Sequence, residues 1–312
     1  MAVPDRDVDV VVAGAGPAGC AAAWRMASRG ADVLVLDDAA PGADDTAVFR
    51  VAHADMTDVF LALQALSLWR ELEQGTGTRL LRLTGEIAHG RGAELDLLAW
   101  AADLAGKPGR WLPAGEAVER WPGIRYEERI FFHPLAGCLD ADAAVTALRT
   151  AAAAEGAAVR SGSVTAVEYG RADAVLVHTS EGCYRARRAV VAASAPVRTA
   201  TCVRFAPVRG GLAWPVFAHY DTTGLIAAGA PAGDGVSARA GDDPARYARC
   251  WLPGADPAAG QRYRTETGTR FVLDRRGPVV RAAGFTGEGF KFLPAVGRMI
   301  ADLVLTGAVQ KS

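Results

Sequence analysis

The sequence has little that would tie it to a metal, a membrane or a nucleic acid. Its five cysteines, Cys20, Cys138, Cys183, Cys202 and Cys250, are scattered, odd in number and free of any CxxC pair. That argues against a disulfide framework and fits a reducing, cytoplasmic setting. The histidines His53, His89, His133, His178 and His219 show neither HxxxH nor HExxH spacing. No metal is expected, and most of them read as surface or structurally satisfied residues. A net charge of -1 leaves no basic surplus for nucleic acid or an anionic membrane. The longest apolar stretch, 8–27, is broken by Gly14, Gly16, Pro17 and Gly19 and carries Arg25, so no membrane span is expected. The first residues lack a basic-then-apolar leader pattern. No GxSxG elbow or Cys–His pairing points to nucleophilic catalysis.

What is present is an ordinary globular composition and one dense motif. With 312 residues, 50% of them hydrophobic, the chain is long enough for a large core, as two domains or one α/β unit with an inserted part. Residues 8–13 form a β-branched run of the kind found in strands buried on both faces. Gly14-Ala-Gly16-Pro17-Ala18-Gly19 follows at once, then a helical stretch closed by Gly30, then a second strand, 32–36, ending in Asp37 and Asp38. Gly14 allows the tight turn, Gly16 lets the backbone approach a pyrophosphate, and Gly19 lets the helix pack closely on the strand. The helix N-terminus offers free N–H groups to the phosphates. Asp37 lies about 20 residues beyond the glycines, where an acid receives ribose hydroxyls. The motif alone does not separate FAD from NAD.

Further along, 56–74 has Phe60, Leu63, Leu66 and Leu72 at helical spacing. Residues 80–87 and 130–133 read as strands, and 159–168 as a strand pair. Residues 140–155 form a helix capped by Asp140 and stopped by Gly156. Three short strands are expected at 175–179, 183–187 and 189–193. The stretch 204–270 is rich in Gly and Pro, with a short helix near 247–252. Strands at 271–274 and 279–283 precede a glycine-rich turn, 284–292, and a last helix, 294–306. Cys20 is expected to serve packing, as are Trp69, Trp100, Trp111, Trp121, Trp214 and Trp251.

The ending Ala282-Ala-Gly-Phe-Thr-Gly-Glu-Gly-Phe-Lys-Phe292 resembles the monomeric sarcosine oxidase and N-methyltryptophan oxidase group of the D-amino-acid-oxidase-like flavoproteins. In the same order, so do the N-terminal fingerprint, Asp45-Thr-Ala-Val-Phe-Arg50, the 61–72 helix, Arg120-Trp-Pro-Gly-Ile124, the Asp140 helix and Leu305-Thr-Gly. The resemblance covers most of the chain. It implies an α/β fold (α+β overall): a discontinuous Rossmann-like FAD-binding domain from 1–85, 135–204 and 271–312, with an interleaved β-rich substrate domain from 86–134 and 205–270. It implies that Gly287, Gly289 and Phe290 present backbone donors to the flavin pyrimidine, where reduced flavin carries negative charge, and that Val164 meets adenine. Arg50 and Lys291 fall where sarcosine oxidases hold the substrate carboxylate, and two cations there give orientation and neutralisation. Thr46 falls at a substrate-contacting position. His53 and Asp55, close behind Arg50, are placed to face the pocket.

Departures from the family pattern narrow the reading. Gln261 replaces the cysteine that carries the covalent flavin bond, so FAD is expected to be held non-covalently. Ala47 replaces a second arginine. Ala228 and Asp243 align with the pocket tyrosine and histidine, and Arg239 with the lysine that promotes reaction with oxygen. The resemblance thus implies an amine or amino-acid substrate, hydride transfer to flavin N5 and reoxidation by O2 to peroxide, with a pocket widened as in a natural-product tailoring enzyme. The protein is expected to be a monomer or small homo-oligomer. Two alternatives stay open: a dehydrogenase with another electron acceptor, and a binding protein with a degenerate flavin site, suggested by Ala47, Gln261 and Ser194.

Overall fold

The computed structural model describes residues 7–37, 46–169, 174–193, 198–211, 213–267, 271–285 and 287–306. The chain opens with β1 (Asp7–Ala13), α1 (Pro17–Ala27), β2 (Val33–Asp37) and β3 (Thr46–Arg50). The long helix α2 (Met56–Thr76) leads to β4 (Leu81–Leu83), β5 (Glu86–Gly90), α3 (Glu94–Leu104), β6 (Arg110–Trp111), α4 (Ala114–Arg120) and β7 (Arg129–His133). Then come β8 (Ala136–Asp140), α5 (Ala141–Ala154), β9 (Ala158–Ser161), β10 (Val164–Tyr169), β11 (Val175–Thr179) and β12 (Cys183–Ala193). They are followed by β13 (Arg198–Pro207), β14 (Val216–Asp221), β15 (Gly224–Ala232), β16 (Gly235–Arg239), α6 (Pro244–Trp251) and β17 (Ala255–Thr267). The chain closes with β18 (Val272–Arg276), β19 (Val279–Ala283), the 3-10 turn η1 (Gly287–Phe292) and α7 (Leu293–Leu305). No helix among the described residues is long and apolar enough to cross a membrane.

The first sheet runs β10-β11-β12-β1-β2-β9, with β19 and β18 continuing beside the second half of β12. Strands β9, β2, β1, β12 and β19 are mutually parallel, so their carboxyl ends share one edge. Ligands of α/β sheets bind at such an edge. Val10 and Val12 face α1 and the main core, while Val11 packs on the other side with Leu34 and Leu36. Alanine dominates α1 because it lies against both the sheet and α7. At Gly297 on α7, a Cβ would stand 2.4 Å from the Ala21 carbonyl oxygen, so only glycine permits the approach.

A second sheet runs β17-β13-β16-β15-β14-β5-β7-β6, and a small third sheet, β3-β8-β4, lies between. Helix α3 covers one face of the second sheet, with Leu95 and Leu98 on Ala88, Phe131, Ala218 and Tyr220. Helices α4 and α6 cover the other face, packing on Ile87 and Phe217. Strand β13 starts at Arg198 and belongs wholly to the second sheet, so it runs across the boundary expected after residue 204.

Several expectations need correction. The stretch 80–87 is two strands in different sheets, turned at Gly85 with φ +79°. β9 and β10 do not pair with each other: β9 joins β2 and β10 joins β11. The two strands expected after residue 183 are one, β12. In α2 the buried line is Val59, Ala62, Ala65, Trp69 and Leu72, and Phe60 is exposed, because small alanines bring the helix close to its neighbours. The 284–292 turn contains a 3-10 helix. Trp100 and Trp111 are exposed rather than core, on α3 and the edge strand β6, two elements that sequence periodicity did not signal. Four of the five histidines, His53, His89, His133 and His219, are buried. Cys20 does serve packing, buried in α1 with Sγ on the Ala15 carbonyl.

Candidate active site

At the carboxyl edge of the first sheet the backbone forms a cradle. The Gly14 N–H donates to the Leu36 carbonyl, tying the end of β1 to β2. Gly14 adopts φ +105°, and a Cβ there would meet the Ala192 carbonyl oxygen at 2.6 Å. At Gly19 a Cβ would lie 1.9 Å from the Gly14 oxygen, so α1 must start with glycine at that contact. A Cβ at Gly16 would meet nothing within 4 Å. Gly16 also caps α1 without any side-chain bond, and Pro17 and Ala18 open the helix, Pro17 where a missing N–H costs nothing. The cradle is therefore open and lined by helix N–H groups, the chemistry that receives a pyrophosphate. Asp37 ends β2 beside it and accepts from Arg149 at 2.7 Å. The Gly162 N–H donates to the Asp37 carbonyl, which brings the start of β10, with Val164, to the same corner. Asp38 and Ser194 lie outside the described residues, as does the side chain of Thr46, whose backbone pairs with Asp140.

The charged cluster stands where β3, η1 and the second sheet meet. Arg50, at the end of β3, reaches Glu86 Oε1 at 3.4 Å, and Glu86 is only 2% exposed. Burial opposes the Arg50 charge, but Glu86, then Tyr220 and Glu288, outweigh it and raise the pKa. Lys291 is 3% exposed, and its Nζ donates to the Glu288 carbonyl at 2.6 Å over the Phe292 ring. Burial and then Arg50 push its pKa down to about 7, against the pull of Glu288, Asp58 and Glu86. Arg239 donates to the Glu288 carboxylate at 2.5 Å. Glu288 is partly buried, which raises its pKa, yet Arg50, Arg239 and Lys291 bring the net shift below the usual value. His53 sits on the Arg50 carbonyl at 3.2 Å, held well below its usual pKa by burial, Lys291 and Arg50. Trp69 on α2 donates to the Lys291 carbonyl at 2.8 Å and stacks on Phe290, which fixes η1 in place.

The structure thus brings Arg50, Lys291, His53 and Arg239 into one cluster, with Gly287, Gly289 and Phe290 on the same turn, and sets Gly14 to Gly19 and Asp37 at the sheet edge. Asp55 does not join them, because it caps α2 by accepting from the Thr57 N–H. Asp243 likewise caps α6. Ala228 pairs with Arg239 in a cross-strand row, Arg239–Ala228–Ala218–Ala88, whose far end, Ala218 and Ala88, is buried under α3. Sequence reasoning missed Glu86, Tyr220 and Glu288. A lone acid opening an otherwise apolar strand was the available signal for Glu86.

Residues 9–214 match the family described as DAO, FAD dependent oxidoreductase. The chain belongs to that family. It is an FAD-dependent oxidoreductase, and the glycine cradle with Asp37 fits the dinucleotide that the family binds. Over its whole length it is similar to monomeric sarcosine oxidase of Bacillus sp. (strain B-0618), with 27% identity covering 97% of this chain and 93% of that one. It is also similar to N-methyl-L-tryptophan oxidase of Yersinia pestis (strain Pestoides F), with 26% identity covering 95% and 94%. Among solved structures, NikD, an unusual amino acid oxidase essential for nikkomycin biosynthesis, superposes with a TM-score of 0.77 at 25% identity, covering 98% and 96%. L-proline dehydrogenase from P. horikoshii shares the fold, with a TM-score of 0.80 at 19% identity over 99% and 96%.

Proposed function

We propose that the protein oxidises the C–N bond of an amino acid or N-substituted amino acid and passes the electrons to O2. The observation that carries this reading is the convergence of two basic groups, Arg50 at the end of β3 and the buried Lys291 on η1, the turn that the resemblance places against the flavin. Both relatives quoted above are named for the oxidation of N-methylated amino acids. Bound FAD supplies the two-electron acceptor. The chain's own residues position and neutralise: Arg50 keeps its charge at all working pH values, and Lys291 takes up a proton at Nζ as a substrate carboxylate arrives. Ala228, partly exposed beside Arg239 where the resemblance places a tyrosine, leaves a smaller side chain there, which supports a wider pocket and a tailoring role in natural-product synthesis. Gln261 offers no thiol, so FAD is held non-covalently.

The visible spectrum before and after acid precipitation tests the cofactor part. Flavin leaving with the supernatant is expected, and colour in the pellet would overturn the Gln261 argument. A peroxide-coupled screen of amino acids and N-methyl amino acids tests the rest. No turnover of any carboxylated amine, with either oxygen or a dye as acceptor, would sink it. A second reading, a dehydrogenase, draws support from Arg239, whose charge is already matched by Glu288. Dye reduction without oxygen consumption would favour it.

A further inference from the structure

A site that holds only a carboxylate needs cations, but this one also buries an anion. Glu86 opens β5 with almost no exposure, between Val216 on β14 and His133 on β7, and the next residue on its face is the buried Ala88. A β-branched apolar residue would suit that strand position better, so the carboxylate is not there for the fold. Arg50 is the cation it touches. Arg239 is matched in the same way by Glu288. Lys291 differs: its Nζ bonds to a backbone carbonyl, and no carboxylate touches it among the described residues. An entering ligand therefore meets one buried amine that bonds only to a backbone carbonyl, Lys291, and one ion pair, Arg50 with Glu86. A zwitterion complements this arrangement better than an anion does. Its carboxylate meets Lys291 and the free side of Arg50, and its nitrogen meets the carboxylate that Arg50 orients.

We propose that Glu86 accepts the cationic nitrogen of the substrate, so that the site selects zwitterionic amino acids over plain carboxylates. This rests on the reading of Arg50 and Lys291 as carboxylate anchors. The nitrogen must lose its proton before the adjacent C–H bond is oxidised. Neutral Lys291 can take that proton: the N–H bond of the substrate ammonium breaks, one forms at Nζ, and the Lys291 cation so formed pairs with the carboxylate, so the net charge of the site is unchanged.

The test uses the FAD-loaded protein as wild type, Glu86→Gln and Glu86→Asp. Each is titrated at about pH 5.5, below the point at which Lys291 loses its proton, with oxygen excluded, with sarcosine against methoxyacetate and with L-phenylalanine against L-3-phenyllactate. Within each pair the nitrogen is replaced by oxygen and the carboxylate is kept. Binding is read from the concentration dependence of the flavin spectrum, after FAD content and thermal midpoint have been checked. Wild type should bind at least one amino member roughly tenfold or more tighter than its partner, as expected for a charged hydrogen bond. In Glu86→Gln that ratio should collapse toward one while the affinity for the plain carboxylate holds. Glu86→Asp, with its carboxylate drawn back, should give an intermediate ratio, and it decides the matter alone if the Gln variant loses its fold. An unchanged ratio, or equal weakening of both members, would overturn the proposal, because Glu86 would then act only by holding Arg50. Binding of plain carboxylates without any preference for the amino members overturns the nitrogen assignment but keeps the anchors. Failure of all four ligands to bind a flavin-loaded wild type overturns the amino-acid reading itself.

Discussion

Strands β5 and β14 lie side by side, and together they bury titratable residues on both faces. On one face Glu86 and Tyr220 meet Arg50. On the other His89 and His219 stack with ring centroids 4.1 Å apart, and His219 bonds to the Tyr247 hydroxyl at 3.1 Å. The first face keeps its charges, because each buried ion has an opposite partner. The second suppresses them. Burial, then His219, drives the His89 pKa down to about 3, and burial lowers that of His219 despite Glu127 at 3.5 Å. Depth does not separate these faces. The balance between burial and counter-charge does: Arg50 gains more from its neighbours than burial costs it, whereas Glu127 does not offset the burial of His219, and only the charged face abuts η1 and the candidate site.

Breaking the charged face should have the largest effect. Arg50→Ala leaves Glu86 buried without its cation, and removing one partner of such a pair typically costs about 3–5 kcal/mol. Urea unfolding of the apoprotein is the measurement. The pair Arg50→Met with Glu86→Leu should regain most of that stability, since apolar replacements of both partners are often neutral. Ligand binding should stay lost in both variants. A cost under about 1 kcal/mol for Arg50→Ala would mean that water reaches Glu86 as at an ordinary surface pair.

The neutral face makes the opposite prediction for acid. His89 titrates near its ordinary value when the chain is unfolded and at about 3 when it is folded. The unfolded state therefore binds the extra proton between roughly pH 6.5 and 3. The stability contribution is complete above the unfolded value and is lost as pH falls through that window, by up to about 1.4 kcal/mol per pH unit. His89→Phe should remove this slope and leave the protein less acid-sensitive than wild type, as read from thermal midpoints between neutral pH and about pH 4. Parallel curves for the two proteins would mean that His89 is already charged in the fold. Lys291 gives a smaller effect, visible only in binding. Its lowered pKa means that methoxyacetate must bring a proton with it above about pH 7, so affinity should be flat below that point. Above it, affinity should fall by about tenfold per pH unit. Lys291→Met should bind weakly and show no such break.

The cofactor cradle was legible in the sequence because its chemistry is local. Gly14, Gly16 and Gly19 act within six residues, and Asp37 follows at a fixed distance along one βαβ unit. Arg50 and Lys291 were legible only through whole motifs, since the chain spacing of 241 residues between them says nothing about their meeting. Glu86 and Tyr220 went unseen for a physical reason. Their roles depend on which face of a strand they take, and β4 and β5 looked like a single strand until Gly85 was seen to turn the chain from one sheet to another. The histidines, expected at the surface or structurally satisfied, are mostly buried and bonded within the fold, and spacing along the chain does not tell those two cases apart. α3 escaped because Leu97, Trp100 and Leu104 blur its apolar stripe on the exposed side.

The smallest effect concerns Glu288, which belongs to the charged face but stands at its rim with 43% of its side chain exposed. Its carboxylate supports the Lys291 charge from one side and holds Arg239 from the other. Glu288→Gln removes the support and also releases a cation near Lys291, and both changes favour neutral lysine. The break in the pH profile of methoxyacetate binding should therefore move below its wild-type position. Because solvent screens a half-exposed pair, the displacement should be less than about one pH unit, and it should shrink further as salt is raised from low to physiological strength. Glu86→Gln removes a deeper carboxylate and should move the same break with less sensitivity to salt. If both variants respond equally to salt, Glu86 is as solvated as Glu288, and the contrast between a buried charge held by its partner and a rim charge held by water does not apply to this site.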